Sequence, residues 1–195
     1  MAGEEIYTTK KYLLDHVLYE MQMYLYTYFR LHDSHDAQFI KDKLLFNTFW
    51  NSHTIALRNL MSFFGICGSA KKDEIVYNSF SFAENPPNRK NRQSYYSPLS
   101  KAINHITVDR FLGYNGKNLD EIVIKARENL FPEIQQYIRL FVHHLDECSG
   151  ITYTYGENSI VDISKELEDD KIKRMIAVVK QFDSLCSTEH KPERE

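Results

Sequence analysis

The chain is poor in the residues that build turn-rich or disulfide-stabilised folds. It has only seven glycines and five prolines in 195 residues, so an all-β architecture with many tight turns is not expected. The three cysteines, Cys67, Cys148 and Cys186, are widely spaced and odd in number. Such a set indicates reduced thiols and not a disulfide framework. These shortages favour a helical protein of the cytoplasm.

The sequence also lacks a signal for export and a long uninterrupted apolar run. Its first residues, Met-Ala-Gly-Glu-Glu, have neither the basic nor the apolar region of a secretory signal. The stretch 44–70 has little charge, but Asn51, His53 and Arg58 interrupt it, so it is not predicted to span a membrane. The net charge of −3 provides no global attraction to nucleic acid or anionic lipid. We therefore expect a cytoplasmic protein with no membrane partner.

Helical periodicity accounts for most of the chain. With 195 residues, 43% of them hydrophobic, the chain is expected to form one domain over residues 1–195. Apolar residues recur at spacings of three and four in five segments. This pattern predicts an all-α fold, a mostly antiparallel helical bundle of about five helices. The predicted helices are Thr9–Phe29, Ala37–Phe64, Ser97–Leu112, Asn118–Glu147 and Ile163–Cys186.

Turn and cap residues predict the boundaries of these helices. Gly65 is expected to cap the end of the second helix, and Ser97 followed by Pro98 is expected to start the third. Pro132 is expected to kink or divide the fourth. The remaining predictions are a long loop at 65–97, a small hairpin at 151–161 and a disordered tail at 187–195.

Two arginines lie where a charge is costly to bury. Arg58 is the single formal charge of the stretch 44–70 in a chain that is 26% charged, and Arg110 lies on the apolar stripe of the third helix. An arginine on a core face keeps its proton, so it needs a carboxylate, a set of carbonyls or a ligand phosphate. One interpretation is therefore a phosphate site for RNA or a nucleotide. The other is an ion pair with a partner subunit or with an acidic residue of this chain, for which the candidates are Asp15, Glu20 and Asp109.

Two further groups of polar residues are candidates for binding. Asn51 shares the nearly uncharged face of the second helix with Arg58, and a face of this kind indicates contact with protein. The basic cluster Arg89, Lys90 and Arg92 lies in the long loop. It is either a solvated loop or a contact for an anion.

Recognised catalytic and metal-binding motifs are absent. The sequence has no P-loop, no dinucleotide-binding glycine motif and no His-Glu-x-x-His. Its eight histidines do not form two pairs at i, i+4 spacing, and no Glu-x-x-His occurs. We therefore predict neither a metal nor another cofactor.

One pair of side chains has the spacing of a general acid–base group. His105 and Asp109 lie at i, i+4 on the predicted third helix, so the carboxylate can orient the imidazole and stabilise its charged form. In a cleft this pair can transfer a proton. On an exposed surface it is an ordinary polar contact, and both interpretations are open.

Three short blocks carry a family resemblance. They are Asn51-Ser-His-Thr-Ile-Ala-Leu-Arg-Asn-Leu-Met-Ser-Phe-Phe, Asp73-Glu-Ile-Val-Tyr-Asn-Ser-Phe and Ile103-Asn-His-Ile-Thr-Val-Asp-Arg. In this order they resemble the helix signatures of HEPN-like helical proteins of the abortive-infection type. The resemblance implies a helical bundle that often dimerises and that belongs to a toxin–antitoxin or defence system.

The same resemblance implies two alternative functions. Many HEPN proteins are metal-independent ribonucleases that use an Arg, four to six residues and then a His at a dimer cleft. Arg139 and His144 have this spacing, although the polar residue that usually follows the Arg is missing. We expect a non-catalytic interaction or RNA/nucleotide-binding module, with a homodimer, RNA, a nucleotide or another protein as partner. The alternative is a ribonuclease in which His105 or His144 moves the proton and Arg110 or Arg139 stabilises the phosphate.

Overall fold

Six α-helices and one small β-hairpin make up the architecture of the residues that the structure describes. The computed structural model describes residues 13–32, 42–66, 75–82, 93–104, 119–155 and 159–189. Within these ranges the predicted all-α bundle is confirmed. The helices are α1 (Leu13–His32), α2 (Lys43–Phe63), α3 (Gln93–Asn104), α4 (Leu119–Glu147), α5 (Ser164–Leu167) and α6 (Asp170–Glu189). A short 3-10 helix covers Tyr77–Ser79, and the strands are β1 (Thr152–Tyr155) and β2 (Ser159–Asp162).

The core lies between α1, α2, α4 and α6. On α1 the fully buried residues Leu14, Leu18, Met21 and Leu25 recur at spacings of three and four, which places them on one face of the helix. Burying a side chain of this size contributes roughly 1.5–3 kcal/mol. None of the helices in the described ranges is both long enough and apolar enough to cross a bilayer.

Helices α1 and α2 pack antiparallel. Glu20 of α1 contacts Asn59 of α2 through a 3.0 Å hydrogen bond, and Tyr26, further along α1, contacts the earlier Phe49 of α2 with ring centroids 5.7 Å apart. The contact positions therefore run in opposite directions along the two helices. This pair carries both sites described below.

Helices α4 and α6 also pack antiparallel. The Arg139 guanidinium lies 2.7 Å from the Asp183 carboxylate, and Asp146, two turns later on α4, pairs with the earlier Lys180 of α6. Both pairs are partly exposed to solvent, so each contributes no more than about 1 kcal/mol. They orient the helices more than they stabilise them.

One helix pair is parallel. Asp15 near the start of α1 pairs with Lys171 near the start of α6 at 2.6 Å, and the carbonyl of Leu25 accepts from the Cys186 thiol at 3.6 Å. The carboxylate of Glu166 accepts from the first two described amides of α1, at 3.1 and 2.9 Å. A carboxylate at a helix N-terminus is favourable because the free amides there carry a partial positive charge.

The ends of α2 follow from local chemistry. Asp42 is extended, and its carboxylate accepts from the amides of Leu44 and Leu45, so the predicted start at Ala37 is wrong. At the other end, the predicted cap Gly65 is confirmed with φ of +66°. Its amide bonds to the carbonyl of residue 62, and the next amide bonds to that of residue 61. This paired closure ends helices at a glycine.

Pro98 was predicted to start a helix and Pro132 to kink or divide one, but each lies inside a continuous helix. Helix α3 begins at Gln93, not at Ser97, and includes Pro98. The turn before Pro98 is held by tertiary contacts, because Tyr95 accepts from Asn129 of α4 at 3.0 Å. The predicted loop at 65–97 is shortened accordingly. Helix α4 continues through Pro132 without division, since one missing amide costs less than the buried face on both sides contributes.

The predicted hairpin at 151–161 is confirmed. Strands β1 and β2 are antiparallel, with Thr152 opposite Asp162. Tyr153 is buried and forms a bridge with Phe80. The hairpin therefore covers one end of the core, beside the 3-10 helix.

The last predicted helix, Ile163–Cys186, is divided in two. Asp169 follows α5, and its carboxylate accepts from the amide of Lys171 at 2.8 Å. This cap starts α6 as a separate helix. Helix α6 extends to Glu189, past the predicted start of the tail at residue 187, and residues 190–195 lie outside the described ranges.

Candidate anion site around Arg127

Arg127 lies on the buried face of α4. Its neighbours one turn away on that face, Val123 and Phe131, are almost completely buried, and Arg127 itself is only 6% exposed. A side chain of this kind holds its charge even inside the core. The position therefore requires either a partner within the chain or a ligand.

The contacts of Arg127 provide little compensation for its charge. The guanidinium carbon lies 4.3 Å from the ring centroid of Trp50, a cation–π contact that contributes about 0.5–2 kcal/mol. Its Nε has no hydrogen-bond partner, and no carboxylate within the described ranges forms an ion pair with it. Burial lowers the pKa of the Arg127 guanidinium from its ordinary value to about 10. The group is thus a buried and protonated cation at neutral pH, and no carboxylate of the described residues pairs it.

His53 of α2 stands beside this cation as a neutral acceptor. Its Nδ1 lies 3.0 Å from the hydroxyl oxygen of Thr27 and 3.3 Å from the carbonyl oxygen of Tyr24. The Thr27 hydroxyl donates to the carbonyl of Met23, so Nδ1 carries the ring proton and donates. Nε2 then presents a lone pair. Burial and the charge of Arg127 hold the pKa of His53 well below its usual 6.5.

Tyr24 completes the group that we call the Arg127 cluster, which consists of Arg127, Trp50, His53 and Tyr24. The Tyr24 ring stacks on His53 with centroids 4.8 Å apart, and burial raises the pKa of its hydroxyl well above 10. The Tyr24 hydroxyl, His53 Nε2 and Arg127 Nε are all buried without a hydrogen-bond partner. Each such group costs about 1–3 kcal/mol when nothing satisfies it.

A column of rings leads from this cluster toward the surface. Tyr28 stacks on Phe131 with centroids 3.4 Å apart and contacts both His53 and the exposed His32. Trp50 is half-buried. The cluster is therefore only one or two side chains from solvent, at the end of α1.

The cluster has the chemistry of an anion site and not of a metal site. It offers two hydrogen-bond donors, Arg127 and Tyr24, and one acceptor, His53. Within the part of the chain that the structure describes, no group of three or more metal-ligating side chains occurs. A bound anion would pair the charge of Arg127 and occupy donors that are otherwise unsatisfied.

Of the residues predicted for binding, Arg58 and Asn51 lie outside this cluster. Arg58 donates from Nε to the Ser100 hydroxyl at 3.0 Å, and its guanidinium carbon lies 5.4 Å from the Tyr96 ring centroid. It contacts α3 and forms no ion pair with a described carboxylate. Asn51 is exposed on α2. Both stay predictions as ligand contacts.

The predicted catalytic pair of α4 does not meet within one copy of the chain. Arg139 donates to the carboxylate of Asp183 and the hydroxyl of Ser187 on α6. His144 stacks on Phe82, with centroids 5.0 Å apart. The two side chains therefore contact different elements, because a separation of five residues turns a helix by well over a quarter-circle.

The other predicted site residues lie outside the described ranges. The structure places no side chain for the basic cluster of the loop or for the predicted acid–base group of the third helix. These residues are Arg89, Lys90, Arg92, His105, Asp109 and Arg110.

Sequence reasoning missed Arg127, although a signal was present. Val123, Arg127 and Phe131 follow one another at spacings of four, so Arg127 interrupts an apolar stripe in the same way as Arg110. Because α4 is long and carries charged residues on its other faces, one arginine on its apolar stripe does not stand out in the sequence. Tyr24 and His53, in contrast, look like ordinary core residues until their partners are known.

The chain matches no protein-family model, no curated protein and no solved structure in the comparisons made with each.

Replacing Arg127 by Met should stabilise the protein. We expect Arg127→Met to raise the free energy of unfolding by about 1–3 kcal/mol, because it removes a buried charge without breaking an ion pair. Urea denaturation in buffer free of phosphate measures this. Arg139→Met on the same helix is the control and should cost no more than about 1 kcal/mol. A loss of about 3 kcal/mol or more in Arg127→Met would show that the charge has a strong partner.

The buried neutral His53 should make the fold sensitive to mild acid. Since its folded pKa is below 6.5, the unfolded state binds a proton first, and stability falls as the pH falls below 6.5. Between about pH 7.5 and about pH 5.5 this should cost up to about 1.4 kcal/mol. His53→Asn, which keeps a donor near the Nδ1 position, should lack this component in urea titrations at the two pH values. An equal pH dependence in both proteins would contradict the assignment.

Proposed function

We propose that this protein is a non-catalytic binding module whose Arg127 cluster holds the phosphate of a nucleotide. The observation that carries the proposal is the buried guanidinium of Arg127, 6% exposed and without a carboxylate partner in the described ranges. Because a buried unpaired charge is costly, retaining one is best explained by a ligand that pairs it.

The hydrogen-bonding groups favour a phosphate over a carboxylate. A phosphate monoester that keeps one proton has acceptor oxygens for Arg127 and Tyr24 and a hydroxyl that can donate to His53 Nε2. A carboxylate has no hydrogen to donate, so it would leave that acceptor unsatisfied. The half-buried ring of Trp50 also provides an aromatic surface beside the charge.

The state of His53 supports binding in preference to catalysis. A general base works best with a pKa near the operating pH, whereas burial and Arg127 hold the pKa of His53 well below 6.5. The cluster therefore provides recognition and only a weak base. The HEPN-like resemblance is compatible with such a module in a defence or toxin–antitoxin setting.

The outer face of α2 supports self-association. Leu44 and Ile55 are exposed there, at 79% and 40%, and the exposed Asn51 lies between them. Apolar and amide side chains on one uncharged face suit a symmetric contact with the same face of a second copy. We include a homodimer in the proposal on this basis.

Trp50 provides a direct test of phosphate binding. It is the sole tryptophan of the chain and contacts Arg127, so its fluorescence should change when an anion pairs the guanidinium. We expect ribose 5-phosphate to change this fluorescence saturably and ribose to leave it unchanged. Arg127→Met should weaken binding about ten-fold or more, since a charge-assisted hydrogen bond contributes about 1.5–3 kcal/mol.

The controls separate a built site from general ion effects. Arg139→Met, an exposed arginine of the same helix, should bind as the wild type does. Sodium chloride at matched ionic strength should not reproduce the signal, and calorimetry with AMP then tests whether a base adds affinity. Equal responses to chloride and to the phosphate ester, or unchanged binding in Arg127→Met, would refute the proposal.

A second candidate function, metal-independent RNA cleavage, rests on a groove between α4 and α6. This groove, of about 200 Å³, is lined by both Arg139 and His143, and His143 lies one turn from Arg139. In a homodimer, the α4/α6 grooves of the two copies can face each other and form one cleft. Attack of a ribose 2′-hydroxyl on the adjacent phosphate would need only these groups and no metal.

The ribonuclease candidate is tested with a mixed tRNA and mRNA pool in the presence of a chelator. If it is correct, the wild type cleaves RNA, and Arg139→Ala or His143→Ala lowers the rate by about a hundred-fold or more. The mass of the protein in solution is measured alongside. Intact RNA with folded, dimeric wild-type protein would eliminate this candidate and leave the binding module.

A further inference from the structure

A second cleft opens between α1 and α2, one helical turn away from Tyr24. Its volume is about 440 Å³, within the range of small-molecule sites. The apolar part of its lining includes Leu60 and Phe63, and the polar part includes Glu20 and Asn59. The Arg127 cluster does not use any of these side chains.

Glu20 is the charged centre of this cleft. Its Oε1 accepts from the amide nitrogen of Asn59 at 3.0 Å, while Oε2 has no hydrogen bond to a described residue. No lysine or arginine lines the cleft in the described part of the chain. The nearest titratable group is His16, one turn earlier on α1, which does not reach salt-bridge distance. The carboxylate is thus half-buried, with no described cation within salt-bridge distance.

The environment of Glu20 is costly for its charge. Burial raises the pKa of the Glu20 carboxyl, against smaller opposing effects of the Asn59 hydrogen bond and of His16. A cation placed beside Oε2 would remove this cost, because an opposite charge at short range favours the ionised form. The unliganded cleft therefore carries an electrostatic penalty that a suitable ligand relieves.

The lining excludes two other classes of ligand. An anion would be repelled by Glu20 and would find no lysine or arginine among the described lining residues. A metal ion needs several ligating side chains, and no such group occurs within the described ranges. An ammonium group fits, since it can donate to Glu20 Oε2 and to the amide oxygen of Asn59 while its apolar body contacts Leu60 and Phe63.

We propose that the cleft between α1 and α2 binds a small molecule with a protonated primary amine on an apolar body, held by the Glu20 carboxylate. The amine provides the charge that Glu20 lacks, and the body excludes water from Leu60 and Phe63. This site is separate from the phosphate site at Arg127 and takes a ligand of the opposite charge.

Three probes of one skeleton test the proposal. They are 2-phenylethylamine, 2-phenylethanol and phenylacetate, titrated by calorimetry in a buffer that contains no amine. We expect the amine to bind with a Kd on the order of 1 mM, as fits a ligand of this size. The alcohol should bind about ten-fold more weakly, and the carboxylate should not bind, because each lacks the charge that pairs with Glu20.

Glu20→Gln is the decisive variant, because it keeps an acceptor for Asn59 and removes only the charge. It should weaken amine binding about ten-fold or more and leave binding of the alcohol unchanged. It should also shift the urea midpoint of unfolding to a higher concentration, since a partly exposed unfavourable charge is removed. Glu168→Gln, an exposed carboxylate elsewhere, is the matched control and should bind the amine as the wild type does.

The outcomes distinguish this site from the phosphate site. Amine binding that persists in Arg127→Met and is lost in Glu20→Gln supports the proposal, whatever the result of the phosphate titration. Three results would overturn it. They are equal affinity for the amine and the alcohol, unchanged amine binding in Glu20→Gln, and no amine binding at concentrations up to about 10 mM, ten times the expected Kd.

Discussion

The buried charge of Arg127, which no described carboxylate pairs, is the constraint on which the contact between α1, α2 and α4 depends. A guanidinium that cannot lose its proton is held against the Trp50 ring, 4.3 Å from its centroid, in a region where its pKa drops to about 10. Burial, together with this positive charge, lowers the pKa of His53 and keeps it neutral, and neutral His53 bonds back to α1 through Thr27 and the Tyr24 carbonyl. Helices α1, α2 and α4 thus meet at one buried charge, which a fully apolar core would not contain.

The antiparallel pair α1/α2 is the platform for both candidate sites. Glu20 and Tyr24 lie one turn apart on α1, and Asn59 and His53 lie opposite them on α2. Glu20 therefore places a negative charge in the cleft. One turn later, Tyr24 lies beside the buried positive charge of Arg127. The two charges form no ion pair with each other. Two sites of opposite preference can coexist in this way.

Most of the fold was predictable because helices leave a repeating trace in sequence. The stripe of α1, the glycine that ends α2 at Gly65 and the tyrosine-rich hairpin all depend on nearby residues. The errors fall where a distant contact outweighs a local preference. Asn129 of α4 donates to the Tyr95 hydroxyl and so holds the first turn of α3, and Pro98 lies inside a helix that it was expected to start. Asp169 caps α6 and divides a helix whose apolar pattern is continuous.

The sequence alone determined the class of fold, the positions of the main helices and the principle that a core arginine needs an anion. It did not determine which arginine this would be. Arg58 has the more conspicuous sequence position, yet it reaches Ser100 and the Tyr96 ring of α3, whereas Arg127 is enclosed by α1, α2 and α4. Whether a charge is buried, and whether a carboxylate reaches it, depends on the packing of helices far apart in the chain. Only the tertiary structure decides this, because local periodicity gives the face of a helix but not what lies opposite.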